Sequence, residues 1–245
     1  MTVEIAAVAL VAVLLGALIK SISGIGFPMV TIPLISYVAD VETAVAITAV
    51  PNLAVNAVLA FQERAHRRHT RDLPILAATG FVGAVFGTLV LVSVPEEPLI
   101  ALLVLVVVVY AVLFFANPEL RLDNATTRRG APMVGLLAGT LQGAIGISGP
   151  VLVSWLHSYR LPRNAHIFAV TTLFAAAGIA QTPTLALSGE MDGRWGVALA
   201  ACVPALATVP VGTRLRNAIS SDVFDRLVVS VLVASALGLA IRTFV

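Results

Sequence analysis

Apolar residues run along this chain in long blocks, and charged residues fall almost entirely between them. Cutting at the charges leaves six runs of transmembrane length: 43–62, 73–95, 98–118, 164–189, 195–213 and 227–245. A bilayer-spanning helix needs about 20 such residues. Two further stretches fit poorly as spans. Residues 133–159 carry no charge apart from the titratable His157, yet two full helices would need roughly 40 residues and a turn. Divided in two, that stretch gives arms of only about 20 Å. The stretch Ile5–Ala39 is longer, but its second arm, Phe27–Ala39, is similarly short. Both are broken in the middle by Gly, Ser and Pro, and non-helical backbone at membrane depth is tolerated only where protein or a cavity covers it. They read as re-entrant helical hairpins, 5–39 and 132–160.

The hairpins resemble each other. Gly24-Ile25-Gly26-Phe27-Pro28 lies over Gly146-Ile147-Ser148-Gly149-Pro150, and the same offset sets Lys20 opposite Gln142. Thr43-Ala44 lies over Asn164-Ala165, and Gly87-Thr88 over Gly212-Thr213. Two repeats follow, 1–118 and 132–245, joined by a cytoplasmic linker at 119–131. Each is a broken hairpin followed by three spans. Loop charge predicts how they are related. Arg64, Arg67, Arg68 and Arg71 put the loop Glu63–Asp72 in the cytoplasm, whereas Glu96 and Glu97 suit the outside. In the second half a weakly charged loop, 189–194, comes first, and the basic loop with Arg214, Arg216 and Arg226 follows it. A basic loop thus follows the first full span in one half and the second in the other. That is the pattern of inverted-topology repeats, here with both termini outside.

Composition narrows the class. Of 245 residues, 59% are hydrophobic and only 11% charged, against about 25% charged in a soluble domain. The expected fold is an all-α polytopic protein of the cell membrane with the lipid bilayer as its solvent. The absence of polar–apolar alternation excludes a β-barrel. Fourteen arginines and a single lysine give a formal net charge of +2; with no basic tail this is a topology signal, and no nucleic-acid partner is implied. Cys202 is the only cysteine, so an intrachain disulfide or thiolate metal cluster is excluded. The start, Met1-Thr2-Val3-Glu4, lacks the basic region of a cleaved signal peptide. Gly135, Gly139 and Gly143, and the pair Gly83 and Gly87, are small-residue spacings that permit close helix approach.

Lys20 is the only charge between Glu4 and Asp40. A lysine at the bilayer centre costs roughly 2.5–3.5 kcal/mol on insertion scales, which marks it as functional. Pro28 and Pro150 suit the first turn of a helix, where the missing N–H is no loss. Each break then leaves free N–H groups and a positive helix end at a hairpin tip. Two tips meeting near the midplane make an anion site. The candidate site comprises Lys20, Ser21, Ser23, Gly24, Gly26 and Pro28 from the first hairpin, with Gln142, Gly146, Ser148, Gly149 and Pro150 from the second. Thr48, Asn52 and Asn56 recur at i, i+4, i+8 beside Pro51 and line one face of the next span. Thr171, with Thr172, Gln181 and Thr182, is the equivalent in the second half. The competing reading of Lys20 is a side chain that snorkels to the headgroups, and polar stripes also serve as plain interhelical hydrogen bonds.

The ordered, duplicated motifs Gly16–Pro28 with Pro33, and Gly139–Pro150, resemble those of the sulfite exporter TauE/SafE family. Gly212-Thr213-Arg214 echoes a further family element, and the resemblance covers nearly the whole chain. It implies transport, usually export, of small sulfur-containing anions such as sulfite, sulfonates or sulfoacetate. The chain departs from the family's commoner Gly-Gly-Gly run at Phe27-Pro28 and Ser148-Gly149-Pro150, which bears on the choice of substrate.

The expected function is a secondary anion transporter working by alternating access, with no cofactor, no metal and no catalytic residue, and with room for association into a homo-oligomer. Two other readings are an anion channel and an intramembrane serine protease. The second rests on Gly146-Ile147-Ser148-Gly149, which matches a rhomboid Gly-x-Ser-Gly motif, with His157 and His166 downstream. A serine nucleophile needs a histidine within hydrogen-bond reach. No Asp or Glu falls inside any predicted span, which argues against a metal site or a carboxylate proton relay.

Overall fold

The computed structural model describes residues 3–24, 26–116 and 122–216, together with positions 233 and 241. Among the described residues the regular structure is helical: α1 Val3–Ser23, α2 Phe27–Ser36, α3 Val41–Gln62, α4 Leu73–Leu91, α5 Glu96–Ala116, α6 Asn124–Ile145, α7 Gly149–His157, α8 Arg163–Leu187 and α9 Trp195–Leu215, with a short 3-10 helix at Arg64–His69. Five of these, α1 from Ile5, α3, α4, α8 and α9, are long and apolar enough to cross a membrane. The expected span 227–245 lies outside the described residues.

The second hairpin corrects the expectation of two short arms, while the first has the long arm and short return expected of it. α1 has 21 residues and α6 has 22, about 31 and 33 Å of helix. Only the returning arms are short, at 10 residues in α2 and 9 in α7. In the second hairpin the extra length comes from residues assigned to the linker. Asp123 caps α6 by accepting from the Thr126 N–H at 2.9 Å, so the helix begins before Arg128 and Arg129 instead of after them. These arginines occupy its second turn, near the end of the bundle. Helices also cover most of the stretches 43–62, 73–95 and 98–118, with ends shifted by a few residues, and Glu96 and Glu97 form the first turn of α5. Acidic residues there complement the helix dipole.

Among the described residues the closest helix pair is α4 with α6. Gly135 faces Leu76, Gly139 faces Gly80 and Gly143 faces Ala84, so the two helices run parallel. A methyl group on Gly83, Gly87, Gly139 or Gly143 would collide with the backbone of the facing helix. Small-residue spacing here sets backbone against backbone, which is how helices gain contact where lipid removes the hydrophobic drive between them.

Polar contacts close the two ends. At one end Arg216 bonds Glu63 at 3.0 Å, Tyr159 bonds Asp72 at 3.2 Å, and Arg71 bonds Asn124. Burial, with Asp72 beside it, pushes the Tyr159 phenol up to about 12, so it remains a donor. Arg64, Arg67, Arg68, Arg71, Arg128, Arg129, Arg160, Arg163, Arg214 and Arg216 all belong to this end. At the other end Arg194 reaches Thr43 at 3.0 Å and Glu190 at 2.8 Å, while Glu96 accepts from the Val41 N–H at 3.2 Å. Asp40, Glu42, Glu97 and Asp192 lie there too. The bundle therefore has a basic pole and an acidic pole.

Candidate functional site

Both hairpins turn on glycine. Gly24, Gly26 and Gly146 have φ of 86°, 102° and 68°, a region that side chains with a Cβ rarely adopt. Gly26 ends the turn and α2 starts at Phe27 with Pro28 in its first turn; α7 starts at Gly149 with Pro150 in the same place. Neither helix has a side-chain cap at its start, so the first N–H groups of each are left without intrahelical partners. The second break packs on the first half-helix. A Cβ on Gly146 would collide with Ile32 and lie 3.8 Å from Pro28, and one on Gly149 would lie 3.1 Å from the Met29 sulfur.

Lys20 is 0% exposed, and its Nζ has no hydrogen-bond partner. The ammonium sits over the Phe174 ring, 4.4 Å from its centroid. Its side chain is turned into the bundle, away from any surface. Next to it Gly24 packs on Ile167 of α8. Ile167, Thr171, Phe174, Gly178 and Gln181 follow helical spacing along one stripe of α8. Further along that stripe the Gln181 amide donates to the Gln142 carbonyl at 2.9 Å. The Gln142 side chain in turn accepts from the Ser148 hydroxyl at 2.9 Å. Thus α8 connects the two breaks, with Lys20 beside Phe174 and Gln142 beside Gln181. Those two α8 positions are seven residues, about 10 Å, apart.

The remaining candidates are distributed around this axis. Asn56 donates to the Asn52 carbonyl at 2.8 Å and to its side-chain oxygen at 3.0 Å, while the Asn56 Oδ1 and the Thr48 hydroxyl are buried without partners. Leu53 of the same helix packs on Gly178, so α3 lies against the α8 stripe. The Thr172 and Thr182 hydroxyls are also buried and unpartnered. Ser21, Ser23 and Thr171 donate instead to carbonyls of their own helices, those of Ala17, Ile19 and Ile167. Ser21 faces α9, where Gly212 leaves room for it.

Three participants were not singled out from sequence. Phe174 is an apolar residue in an apolar helix, and only its place on the stripe from Thr171 to Gln181 marks it. Arg216 donates from Nε and Nη2 to the Ser21 carbonyl at 3.1 and 2.7 Å, one residue after Lys20. Its third bond is to Glu63, and the charge pattern had put both in loops. The serine of the rhomboid-like motif, Ser148, bonds Gln142, while His157 and His166 stack edge-on to each other with ring centroids 5.3 Å apart.

A buried amine, two helix starts without side-chain caps and the unpaired hydroxyls of Thr48, Thr172 and Thr182 are groups of the kind that can donate to a small anion. Comparison with known families agrees with the chain's pattern: the sulfite exporter TauE/SafE family matches residues 8–239. The chain belongs to that family. It is a multi-pass membrane protein and a member of a transporter family. No curated protein and no solved structure matches it.

Proposed function

We propose that this TauE/SafE protein is a secondary transporter that exports small sulfur-containing anions, with sulfite, sulfonates and sulfoacetate-like molecules as the substrate class. The observation that carries the reading is Lys20, fully buried and with no acceptor for its amine. An ammonium in that position lacks the counter-charge that buried ions require, and an anionic substrate supplies one. The uncapped starts of α2 and α7 add backbone N–H donors to the anion. Ser148 and Gln142 supply neutral hydrogen bonds, and Thr48, Asn52, Asn56 and Thr171 line the path to it. Repeats 1–118 and 132–245, inverted with respect to each other, rock about the breaks so that the site opens to each side in turn. The basic pole faces the cytoplasm by the positive-inside rule, which suits collection of an anion from that side.

The test is a screen of the purified protein against sulfite, sulfate, thiosulfate, alkanesulfonates and carboxylates. Binding to the native state raises its apparent thermal stability. Sulfite and sulfonates should raise the melting temperature, and the same anions should be exchanged by proteoliposomes. Stabilisation by carboxylates alone would overturn the substrate class. Conductance far above carrier turnover would replace the carrier with a channel.

A further inference from the structure

We infer that Lys20 is also the coupling residue: each anion crosses together with one proton, which Lys20 takes up and gives back. This rests on the anion-transport reading above. Its structural basis is the isolation of the amine. Nζ is buried with no hydrogen-bond acceptor, and its neighbour is the face of a hydrocarbon ring, Phe174. Among the described residues, the elements packed on α1 supply no carboxylate to it. α2 has no titratable residue. On α3, Glu42 lies at the far pole and Glu63, beyond the helix end, is paired with Arg216. On α9 the charged groups are Arg214 and the Arg216 that follows it, and Cys202 donates to the Ala198 carbonyl. On α8, Arg163 and His166 lie at the helix start, and His166 stacks on His157. A ring face attracts an ammonium only weakly compared with the hydration it has lost.

The consequence is a charge rule. With an anion bound, the ammonium is neutralised and the pair crosses. On the receiving side water enters, the anion leaves, and the N–H⁺ bond breaks with its proton passing to that water. The empty carrier returns with a neutral amine, which takes a proton from water on the first side as the next anion binds. Each cycle moves one anion and one proton in the same direction, with no net charge. An arginine at position 20 would keep its proton throughout. It would bind and exchange anions but could not return empty.

Methanesulfonate is the probe, because its acid is strong and any proton moved is the protein's; sulfite titrates itself. Proteoliposomes holding a pH dye are given an inward methanesulfonate gradient, with membrane potential clamped at several values. Expected results are net uptake that acidifies the lumen by one proton per anion and does not vary with potential. For Lys20→Arg, labelled methanesulfonate exchange should be weakened but measurable, since the charge stays while the planar, bulkier donor set fits less well, and net uptake and acidification should fall to the level of empty liposomes. Exchange in that variant also demonstrates that it is folded. Wild-type uptake that follows the membrane potential and leaves lumen pH unchanged would overturn proton coupling while leaving anion transport intact, as would Lys20→Arg that still acidifies the lumen. If wild type neither exchanges nor accumulates the probe, while sulfite also fails to exchange, the transport reading itself falls and takes this inference with it.

Discussion

Lys20 and Arg216 are both buried cations next to the first helix break, and the protein treats them in opposite ways. Arg216 uses its planar fork on two fixed acceptors, the Ser21 carbonyl and the Glu63 carboxylate. It thereby caps the C-terminal end of α1 and ties it to the ends of α3 and α9, a structural duty. Lys20 has no fixed acceptor. Removing one partner of a buried ion pair costs about 3–5 kcal/mol because the other charge is left uncompensated. Glu63 retains some solvent contact, with its side chain 12% exposed, so Arg216→Gln should fall near the lower figure, about 3 kcal/mol. Arg216→Lys should be intermediate, since an ammonium keeps the charge and loses the fork. Apparent melting temperatures of the detergent-solubilised variants would check the order; an unchanged melting temperature for Arg216→Gln would mean that the latch holds nothing. Sequence alone made Lys20 conspicuous as the single lysine in an uncharged stretch. Arg216 was one of many loop arginines, and nothing local distinguishes a buried one.

At the scale of elements, the glycines of α4 and α6 are the clearest case of sequence becoming structure. Gly139 has no room for a methyl against Gly80, whereas Gly196 on α9 has nothing within 4 Å of where its Cβ would be. Gly139→Val should destabilise by about 1–3 kcal/mol or prevent folding, and Gly196→Val should be tolerated. Fluorescence-detected size-exclusion profiles and melting temperatures of the pair would show it; equal behaviour would disprove that α4–α6 contact fixes the bundle. The long apolar runs made α3, α4, α5, α8 and α9 legible, and Gly-Pro chemistry made both breaks legible. The start of α6 was not. Charge was read as the end of a helix, yet Arg128 and Arg129 are good helix formers and Asp123 supplies the cap. The spacing Asp123 to Thr126 was the available signal. The pairing of α8 with both hairpins depends on tertiary packing, which no local pattern carries.

At the scale of the molecule, hydrogen bonds among the described residues gather the arginine-rich segments at one pole and most of the described acids at the other. With the basic pole cytoplasmic, Arg67→Cys should be labelled only from the inside and Glu97→Cys only from the outside, in a background where Cys202 is replaced by alanine. Labelling of both from one side would contradict the assignment of the poles. Between the poles lies the claim on which the transport account depends, that the Lys20 amine is the charged partner of a bound anion. Sulfite affinity of Lys20→Gln in detergent, measured beside wild type by calorimetry, tests it most directly. A hydrogen bond to a charged group contributes about 1.5–3 kcal/mol, so binding should weaken roughly 10- to 100-fold while the variant stays folded and elutes as wild type does. Unchanged sulfite affinity in a folded Lys20→Gln would remove Lys20 from the site and contradict the account.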